Sequence, residues 1–242
     1  MRVAFLSDIH ANFPALIRAL DSSKRRGADQ VIIAGDLVGG GPHPLEVIRL
    51  LRDRGCFAIL GNVERKLLER GRDPKVLARM ARKKGKANLA WTALQLGAEE
   101  WAWLEGLPTQ RTMTLADRTV LVVHGSPRAD TDYLFPSLTA AALRRWLGDA
   151  NPDILVCGHS HIPFTRAIDG VRVVNCGSVG RPVDGDPRGS YALVDCESHR
   201  APTARIVRFN YPVAHALADL RARRVPGAVP SEVAAGIKRK GS

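Results

Sequence analysis

Oxygen and nitrogen donors recur along the sequence directly after short apolar runs. Asp8 and His10 follow the apolar residues 3–6, and Asp36 follows residues 31–34. The other donors in this pattern are Asn62, His124, His159 and His161. Carboxylate, amide and imidazole groups in this combination are typical ligands of divalent transition metals. The sequence therefore predicts a metal centre.

Seven donors exceed the number that one ion takes from a protein when positions must remain for a substrate. They match two ions that share one carboxylate. Two ions about 3.5–4 Å apart polarise phosphoryl oxygens, lower the pKa of a water between them and orient an in-line attack. The donor set suits Mn, Fe, Zn, Co or Ni. We expect two divalent transition-metal ions, with manganese first among them.

The first sixty residues show how these donors are positioned. Apolar runs alternate there with amphipathic stretches at 14–26 and 44–54. The steps from Asp8 to Asp36 (36 − 8 = 28) and from Asp36 to Asn62 (62 − 36 = 26) fit two successive βαβ units. Because open α/β sheets bind ligands beyond the carboxyl ends of their strands, the donors are predicted to meet at one sheet edge.

The rest of the chain divides into a helical and a strand-rich part. Residues 64–107 are predicted to be helical and to pack on the sheet. Further strands are predicted at 119–123, 154–157, 171–174, 191–195 and 204–210, with one helix at 138–147. Short, turn-rich links predict antiparallel pairing in this half. We expect one domain over 1–224 and a basic, loosely ordered tail over 225–242.

Composition excludes several classes of protein. With 45% hydrophobic and 25% charged residues, the 242-residue chain is typical of a globular protein. We expect no membrane partner, because no apolar run reaches the roughly 18–20 residues of a membrane span. The N-terminus does not read as a secretory signal. Four cysteines without a CxxC pair favour a reducing compartment, so a cytoplasmic location is predicted.

The net charge of +12 (36 − 24) has two interpretations. It favours a polyanionic partner such as a nucleic acid, or it reflects an arginine-rich solvated surface. The clearest basic clusters, 83–86 and 238–240, contain no aromatic residues, unlike single-strand nucleic-acid platforms. Both interpretations stay open at this point, as does the oligomeric state.

The order of the motifs adds a resemblance to a known family. Asp-x-His, Gly-Asp-x-x-Gly, Gly-Asn, His-Gly and Gly-His-x-His follow one another from residue 8 to residue 161. This order resembles the calcineurin-like metallophosphoesterase superfamily, and in particular a small bacterial and archaeal phosphodiesterase branch. The resemblance extends to about residue 210. It implies a four-layer α/β/β/α sandwich of two mixed sheets flanked by helices.

The resemblance also implies a role for each donor. One ion would be bound by Asp8, His10 and His161, the other by Asn62, His124 and His159, and both by Asp36. A hydroxide between the ions would attack phosphorus, with His124 and His159 close to the developing charge.

Phosphate needs further partners besides the ions. By resemblance, Asn12 is expected to help hold the phosphate. Arg181 is the candidate cation in the loop after a further matching segment, and Arg128 and Arg188 lie in similar loops.

Two positions depart from the family pattern. The usual third motif is Gly-Asn-His followed by an acidic residue, but here Val63 replaces the histidine that protonates the leaving oxygen, and Glu64 follows. A missing general acid costs about 10²–10⁴-fold on poor leaving groups. This predicts a preference for aryl esters, cyclic phosphodiesters or phosphoanhydrides, or a replacement acid. His43 is the candidate acid, its alternative being an exposed loop histidine. Cys176, which replaces a common proline, is interpreted as a buried filler.

These observations predict a phosphodiesterase that acts on nucleotides or small phosphodiesters. A phosphomonoesterase or a dinucleoside-polyphosphate hydrolase is the alternative on the same centre. An alternative of another class is a scaffold that kept the fold and lost catalysis, as the metallophosphoesterase-like subunit of retromer has done.

Overall fold

The computed structural model describes residues 1–83, 85–227 and 234–237. The strands are β1 (Arg2–Leu6), β2 (Gln30–Ile33), β3 (Phe57–Ala58), β4 (Gln110–Leu115), β5 (Arg118–Val123), β6 (Ile154–Cys157), β7 (Phe164–Ile168), β8 (Val171–Asn175), β9 (Gly189–Asp195) and β10 (Thr203–Phe209). The helices are α1 (Phe13–Arg25), α2 (Pro44–Asp53), α3 (Asn62–Arg70), α4 (Pro74–Ala81), α5 (Ala87–Gln95), α6 (Ala98–Glu105), α7 (Ala140–Leu147) and α8 (Val213–Ala222).

The first sheet has the strand order β10-β9-β1-β2-β3. Strands β1, β2 and β3 pair in parallel and are joined by α1 and α2, which confirms the predicted βαβ units. Strand β9 pairs antiparallel with both β1 and β10. The carboxyl ends of β1, β2 and β3 therefore meet at one edge of this sheet.

The second sheet has the order β4-β5-β6-β8-β7. Its three central strands, β5, β6 and β8, are parallel, so the prediction of antiparallel pairing is wrong for them. Antiparallel pairing is found at the edges, β4 with β5 and β7 with β8. The link at Asp169 does join an antiparallel pair, but β7 lies at the outer edge and so leaves β8 beside β6. Strands β4 and β7 have exposed middle residues, and their sequences carry no apolar run that predicts them.

Three hydrophobic clusters separate four layers. The cluster between the sheets joins Phe5 and Ile32 of the first sheet to Val122 and Val156 of the second. A second cluster joins the first sheet to α1, α2, α3 and α6, and a third joins the second sheet to α7. This is the expected four-layer α/β/β/α sandwich. Cys176 is fully buried between the sheets, and burial raises the pKa of its thiol, which supports its interpretation as a filler.

Two further segments bear on the sequence predictions. The predicted helical stretch 64–107 contains α3 to α6, whose residues Leu67 and Leu104 are fully buried against the first sheet. In the tail, Ile237 forms a β-bridge with Asp184, while residues 228–233 and 238–242, including the basic cluster at 238–240, lie outside the described residues, as does Lys84. In the part of the chain that is described, the helices are too short or too polar to span a membrane.

Candidate metal centre

The loops that follow the central strands are tied to one another by backbone hydrogen bonds. The Asp8 amide donates to Gly35 O at 3.0 Å, and the His10 amide donates to Asp36 O at 3.0 Å. The two sheets are joined by a backbone-to-side-chain bond, in which the His159 amide donates to Asp8 Oδ2 at 3.0 Å. The Gly158 amide also donates to His124 O at 2.8 Å, so these bonds bring together the loops after β1, β2, β5 and β6.

The backbone at these donors is held in an uncommon conformation. Ten described residues other than glycine have a positive φ, and five of them are predicted ligands: Asp8 (55°), His10 (49°), Asp36 (50°), His159 (62°) and His161 (58°). A non-glycine residue in this region costs about 1–3 kcal/mol and persists where the surrounding structure imposes it. Such clustering marks these loops as a functional site.

Close approach of the loops explains two of the neighbouring glycines. A Cβ at Gly158 would overlap the Ser7 hydroxyl and approach Asp8 Oδ2 to 2.5 Å. A Cβ at Gly61 would overlap the Asp36 carboxylate. The glycines in the Gly-Asn and Gly-His-x-His motifs are thus required for the ligands to meet.

The first donor group consists of Asp8, His10 and His161, whose ligand atoms lie within 4.8 Å of one another. Nδ1 of His10 lies 3.1 Å from Gly39 O, and Nδ1 of His161 lies 2.5 Å from Arg181 O. Since a carbonyl oxygen only accepts, both Nδ1 atoms carry the hydrogen in the neutral rings. Both Nε2 atoms then present lone pairs to the group.

These lone pairs face each other and a carboxylate. The two Nε2 atoms are 3.1 Å apart, and that of His161 lies 3.0 Å from Asp8 Oδ1. With His161 in the neutral form that carries its hydrogen on Nδ1, the buried Asp8 Oδ1 has no hydrogen-bond donor among the described residues. A buried acceptor without a donor is unfavourable. A cation between the three atoms would remove this repulsion, so the first donor group fits a divalent ion.

The second donor group consists of Asp36, Asn62, His124 and His159. Nε2 of His124 lies 3.4 Å from Asp36 Oδ1 and 3.2 Å from Asn62 Oδ1. The Asn62 oxygen also lies 2.8 Å from His159 Nδ1. Without an ion, the opposite orientation of the Asn62 amide would let its nitrogen donate to both rings and its oxygen accept from Lys66 Nζ at 3.0 Å. An ion at this group would instead favour the inward oxygen as a ligand. Nδ1 of His124 contacts Ala34 O at 2.8 Å, which leaves Nε2 for the centre. This group also fits a divalent ion.

Asp36 connects the two donor groups. Its Oδ1 faces His124, and its Oδ2 lies 3.7 Å from His10 Nε2. Oδ1 also accepts a hydrogen bond from the Val63 amide at 2.9 Å. Burial opposes charge on Asp36, but His124, His10 and this amide hold the pKa of its carboxyl well below the usual range. Asp36 is therefore ionised and placed to be shared by two ions.

Burial and the neighbouring charges shift the pKa values of His10 and His124 in opposite directions. Burial lowers the pKa of His10 to about 4 although Asp36 is close. Burial also acts on His124, but the charges of Asp36 and Asp8 outweigh it and raise its pKa to about 10. At neutral pH and without an ion, His10 is neutral and His124 carries a proton that an ion must displace.

Glu64 binds the backbone of the loops that carry Asp36 and Asn62. It is fully buried, and its carboxylate accepts hydrogen bonds from the amides of Asp36 (2.9 Å), Val38 (3.0 Å) and Gly61 (2.9 Å). Burial and the charge of Asp36 raise the pKa of Glu64 to about 7. Glu64 thus joins the Asp36 loop to the start of α3, with no imidazole required at position 63.

Two of the residues singled out from the sequence, Asn12 and His43, bind partners other than the predicted metal ligands. Asn12 caps α1 through the Ala15 amide at 3.2 Å and donates to Gly180 O at 2.9 Å, so its amide holds loops together. His43 is buried, and its Nε2 lies 3.1 Å from Asp219 Oδ2 in α8. In this structure the Asn12 amide holds loops together, and His43 is buried between α2 and α8, so its interpretation as an exposed loop histidine is wrong. The roles of Asn12 at the phosphate and of His43 as the acid stay predictions.

Two of the three candidate arginines are paired with aspartates. Arg128 forms two hydrogen bonds with Asp132, and Arg188 binds Asp186. Arg181 differs, because its charge is one of the causes that lower the pKa of His10. Among the three, Arg181 is the one whose charge acts on a predicted ligand.

Sequence reasoning missed two neighbours of the second donor group. Nζ of Lys66 lies 3.0 Å from the outer end of the Asn62 amide, one helical turn along α3. The Tyr133 ring lies 4.4 Å from the His159 ring. The spacing from Asn62 to Lys66 offered a signal for the lysine, whereas a tyrosine in an irregular loop offered none.

Comparisons with known proteins agree with this geometry. An uncharacterized protein of Methanocaldococcus jannaschii is 29% identical, over 93% of this chain and 93% of its own length. The phosphodiesterase YfcE of Escherichia coli is 27% identical, over 81% of this chain and 88% of its own. A metallophosphoesterase from Sphaerobacter thermophilus is 31% identical, with coverage of 98% of this chain and 100% of its own, and its crystal structure superposes with a TM-score of 0.78.

The match to a family is equally broad. Residues 1–199 match the calcineurin-like phosphoesterase superfamily domain, a span that includes both donor groups. The family uses divalent metals, and the two donor groups described above are the places where this chain could bind them. The chain therefore belongs to the calcineurin-like phosphoesterase superfamily and is a phosphoric ester hydrolase.

Proposed function

We propose that the protein is a divalent-metal-dependent phosphodiesterase that acts on nucleotides or small phosphodiesters. The observation that carries the proposal is the pair of donor groups that share Asp36, one of which leaves Asp8 Oδ1 buried without a donor. Two sets of lone pairs joined by one carboxylate fit a two-ion centre. We propose manganese as the first ion to test.

The protein's own groups hold and orient the reaction partners. The first donor group and the second donor group would each hold one ion, with Asp36 between them. When bound, the ions polarise the phosphoryl oxygens and make a water molecule acidic enough to attack. Carbonyl oxygens at Gly39, Ala34 and Arg181 fix the imidazole rings, so little reorganisation is needed as the reaction proceeds.

Positive charge at the edges of the centre supports an anionic substrate. Arg181 lies close enough to His10 to lower its pKa, and Lys66 lies beside Asn62. A phosphate group at the ions would meet both cations. This supports Arg181 as a substrate-binding residue and adds Lys66.

The neighbourhood of Val63 limits the leaving groups. Its side chain packs on Gly39, where a Cβ would come within 2.7 Å of Val63 Cγ1. Valine has no proton to donate to a departing oxygen. The centre therefore favours esters whose leaving groups are stable as anions, such as aryl esters, cyclic phosphodiesters and phosphoanhydrides.

Two further parts of the proposal concern the whole chain. The cysteines Cys56, Cys157, Cys176 and Cys196 are unpaired, which supports action in a reducing compartment such as the cytoplasm. Both sheets supply ligands, which supports residues 1–224 as one domain.

The test compares a diester and a monoester with the same leaving group. We expect the manganese-loaded protein to hydrolyse bis(4-nitrophenyl) phosphate with a higher kcat/KM than 4-nitrophenyl phosphate, and chelation to abolish both rates until manganese is restored. His161→Ala should remove the activity, whereas His199→Ala, with 94% of its side chain exposed, should retain it. A clear preference for the monoester would favour the phosphomonoesterase alternative. Metal binding without turnover would favour the scaffold.

A further inference from the structure

Two exposed aromatic rings lie side by side at the edge of the metal centre. Tyr133 is 50% exposed and Phe135 is 43% exposed. Their rings are parallel, with centroids 5.7 Å apart and planes 6° apart. The Tyr133 ring also contacts the His159 ring, with centroids 4.4 Å apart. The second donor group is therefore bordered by an open aromatic surface.

The loop that carries these rings is fixed on its N-terminal side by ion pairs. Arg65 of α3 donates two hydrogen bonds to Asp130, at 2.5 and 3.0 Å. Asp132 accepts from the Ser126 hydroxyl at 2.6 Å and from Arg128. The residue before the ring pair is thus held to the start of the loop, and the loop is held to α3.

The other side of the loop is fixed as well. Leu134, between the two aromatic residues, is fully buried, and its carbonyl accepts from Asn175 Nδ2 at 3.3 Å. The carbonyl of Pro136 accepts from Arg166. The exposed rings are therefore presented by an ordered loop whose intervening residue is anchored in the core.

We propose that the exposed Tyr133–Phe135 ring pair is a stacking surface for the base of a nucleotide substrate. This rests on the proposed function, because the phosphate must bind at the donor groups. A planar base gains by stacking on an exposed, ordered aromatic ring. Open aliphatic diesters have no group that can make this contact. The surface thus selects nucleotides among the phosphate esters that the centre could cleave.

A binding measurement tests the surface without requiring turnover. The probes are adenosine 5′-monophosphate and ribose 5-phosphate, which carries a hydroxyl group in place of the base, and both are titrated into the manganese-loaded protein by calorimetry. We expect the nucleotide to bind about tenfold more tightly. Tyr133→Leu should reduce this ratio to near one, and Tyr133→Phe should preserve it. Equal affinities in the wild-type protein, or an unchanged ratio in Tyr133→Leu, would overturn the proposal.

A kinetic measurement separates stacking from mere support of His159. The substrates are 2′,3′-cyclic adenosine monophosphate and glycerol 1,2-cyclic phosphate, which share the same five-membered cyclic diester. Loss of stacking in Tyr133→Leu should lower the ratio of their kcat/KM values about tenfold, mainly through KM for the nucleotide. A supporting role would lower both values equally and leave the ratio unmoved, which would contradict the proposal. Failure of the wild-type protein to cleave either substrate would count against the proposed function, and the binding ratio would still decide for or against the stacking surface.

Discussion

The two donor groups are built differently, although each combines carboxylate and imidazole ligands. In the first donor group, backbone carbonyls fix Nδ1 of His10 and His161, and Asp8 Oδ1 is left without a donor. In the second donor group, a proton on His124 faces the carboxylate of Asp36 when no ion is bound. The first group is therefore arranged chiefly to hold an ion, and the second can exchange a proton for one.

The two donor groups also differ in the residues that adjoin them. The second donor group adjoins the start of α3, where Val63 replaces the family's histidine and Glu64 holds the backbone. It also adjoins Lys66 and Tyr133. The residues that we propose to limit the leaving group and to contact a base thus adjoin the second group, whereas Arg181, the proposed phosphate partner, lies beside the first. The comparison indicates that the two groups would contact different parts of a substrate.

Removal of the carboxylate that both groups share should have the largest effect. Asp36→Asn keeps the size of the side chain but removes the charge that faces His10 and His124. Loss of several kcal/mol of transition-state stabilisation predicts a fall in kcat/KM of about 10³-fold or more. Steady-state kinetics and the metal content of the purified variant measure this. A variant with full metal content and near-normal rates would show that the groups work independently of Asp36.

A histidine at position 63 tests whether the second donor group lacks a proton donor for the leaving group. Val63→His supplies a proton donor beside Asn62, so hydrolysis of alkyl diesters should rise by up to about 10²-fold. Bis(4-nitrophenyl) phosphate, whose leaving group needs no proton, should show little gain. Rates on both esters, compared with those of Val63→Leu, provide the measurement. An equal gain on both esters would argue against a missing acid.

Glu64 should affect stability more than its neighbours on α3 do. Glu64→Gln leaves at least one buried backbone amide facing an NH₂ group, which should lower the free energy of unfolding by about 1–3 kcal/mol. Glu69→Gln is the matched control, since Glu69 is exposed and forms an i,i+4 ion pair with Arg65 worth less than about 0.5 kcal/mol. Urea unfolding of the two variants compares them, and equal changes would contradict the role assigned to Glu64.

The two groups should also be separable by pH. His124 has a pKa of about 10 in the folded, metal-free protein and an ordinary value of 6.5. Because the folded state binds this proton more tightly, its stabilisation is complete below pH 6.5 and is lost as the pH rises through about 10. The chelated protein should lose stability across this window, and His124→Gln should lose less. Urea unfolding at several pH values tests this, and parallel profiles for the two proteins would refute it.

The smallest effect on activity is expected outside both groups. His43→Gln removes the ion pair with Asp219 between α2 and α8. The rate on an alkyl diester should stay within about twofold of the wild-type rate, because His43 Nε2 is paired with Asp219 and so is not free to protonate a leaving group. A loss of 10²-fold without a change in folding would restore His43 as an acid.

Much of the architecture could be predicted from local patterns. Apolar runs alternating with amphipathic stretches indicate βαβ units, and the carboxyl-end rule then predicts that Asp8, Asp36 and Asn62 converge. The parallel neighbours β6 and β8 could not be predicted, since their pairing depends on β7 taking the outer edge. Strand β4, whose middle residues are exposed, lacks the apolar run on which such a prediction depends.

The limits at the site have a similar origin. The position of His43 depends on Asp219, which is distant in the sequence, and the bonds of Asn12 depend on Gly180. Tyr133 lies in a loop without periodicity, so only the folded arrangement shows that it borders His159. Residue types and motif order predict which donors lie together, whereas roles that arise from long-range contacts need the structure.

Anomalous diffraction from crystals grown with manganese tests the two-ion centre most directly. We expect two peaks per chain, about 3.5–4 Å apart, one among Asp8, His10 and His161 and the other among Asn62, His124 and His159, with Asp36 between them. A single peak, peaks elsewhere in the chain, or no peak at saturating manganese would contradict it.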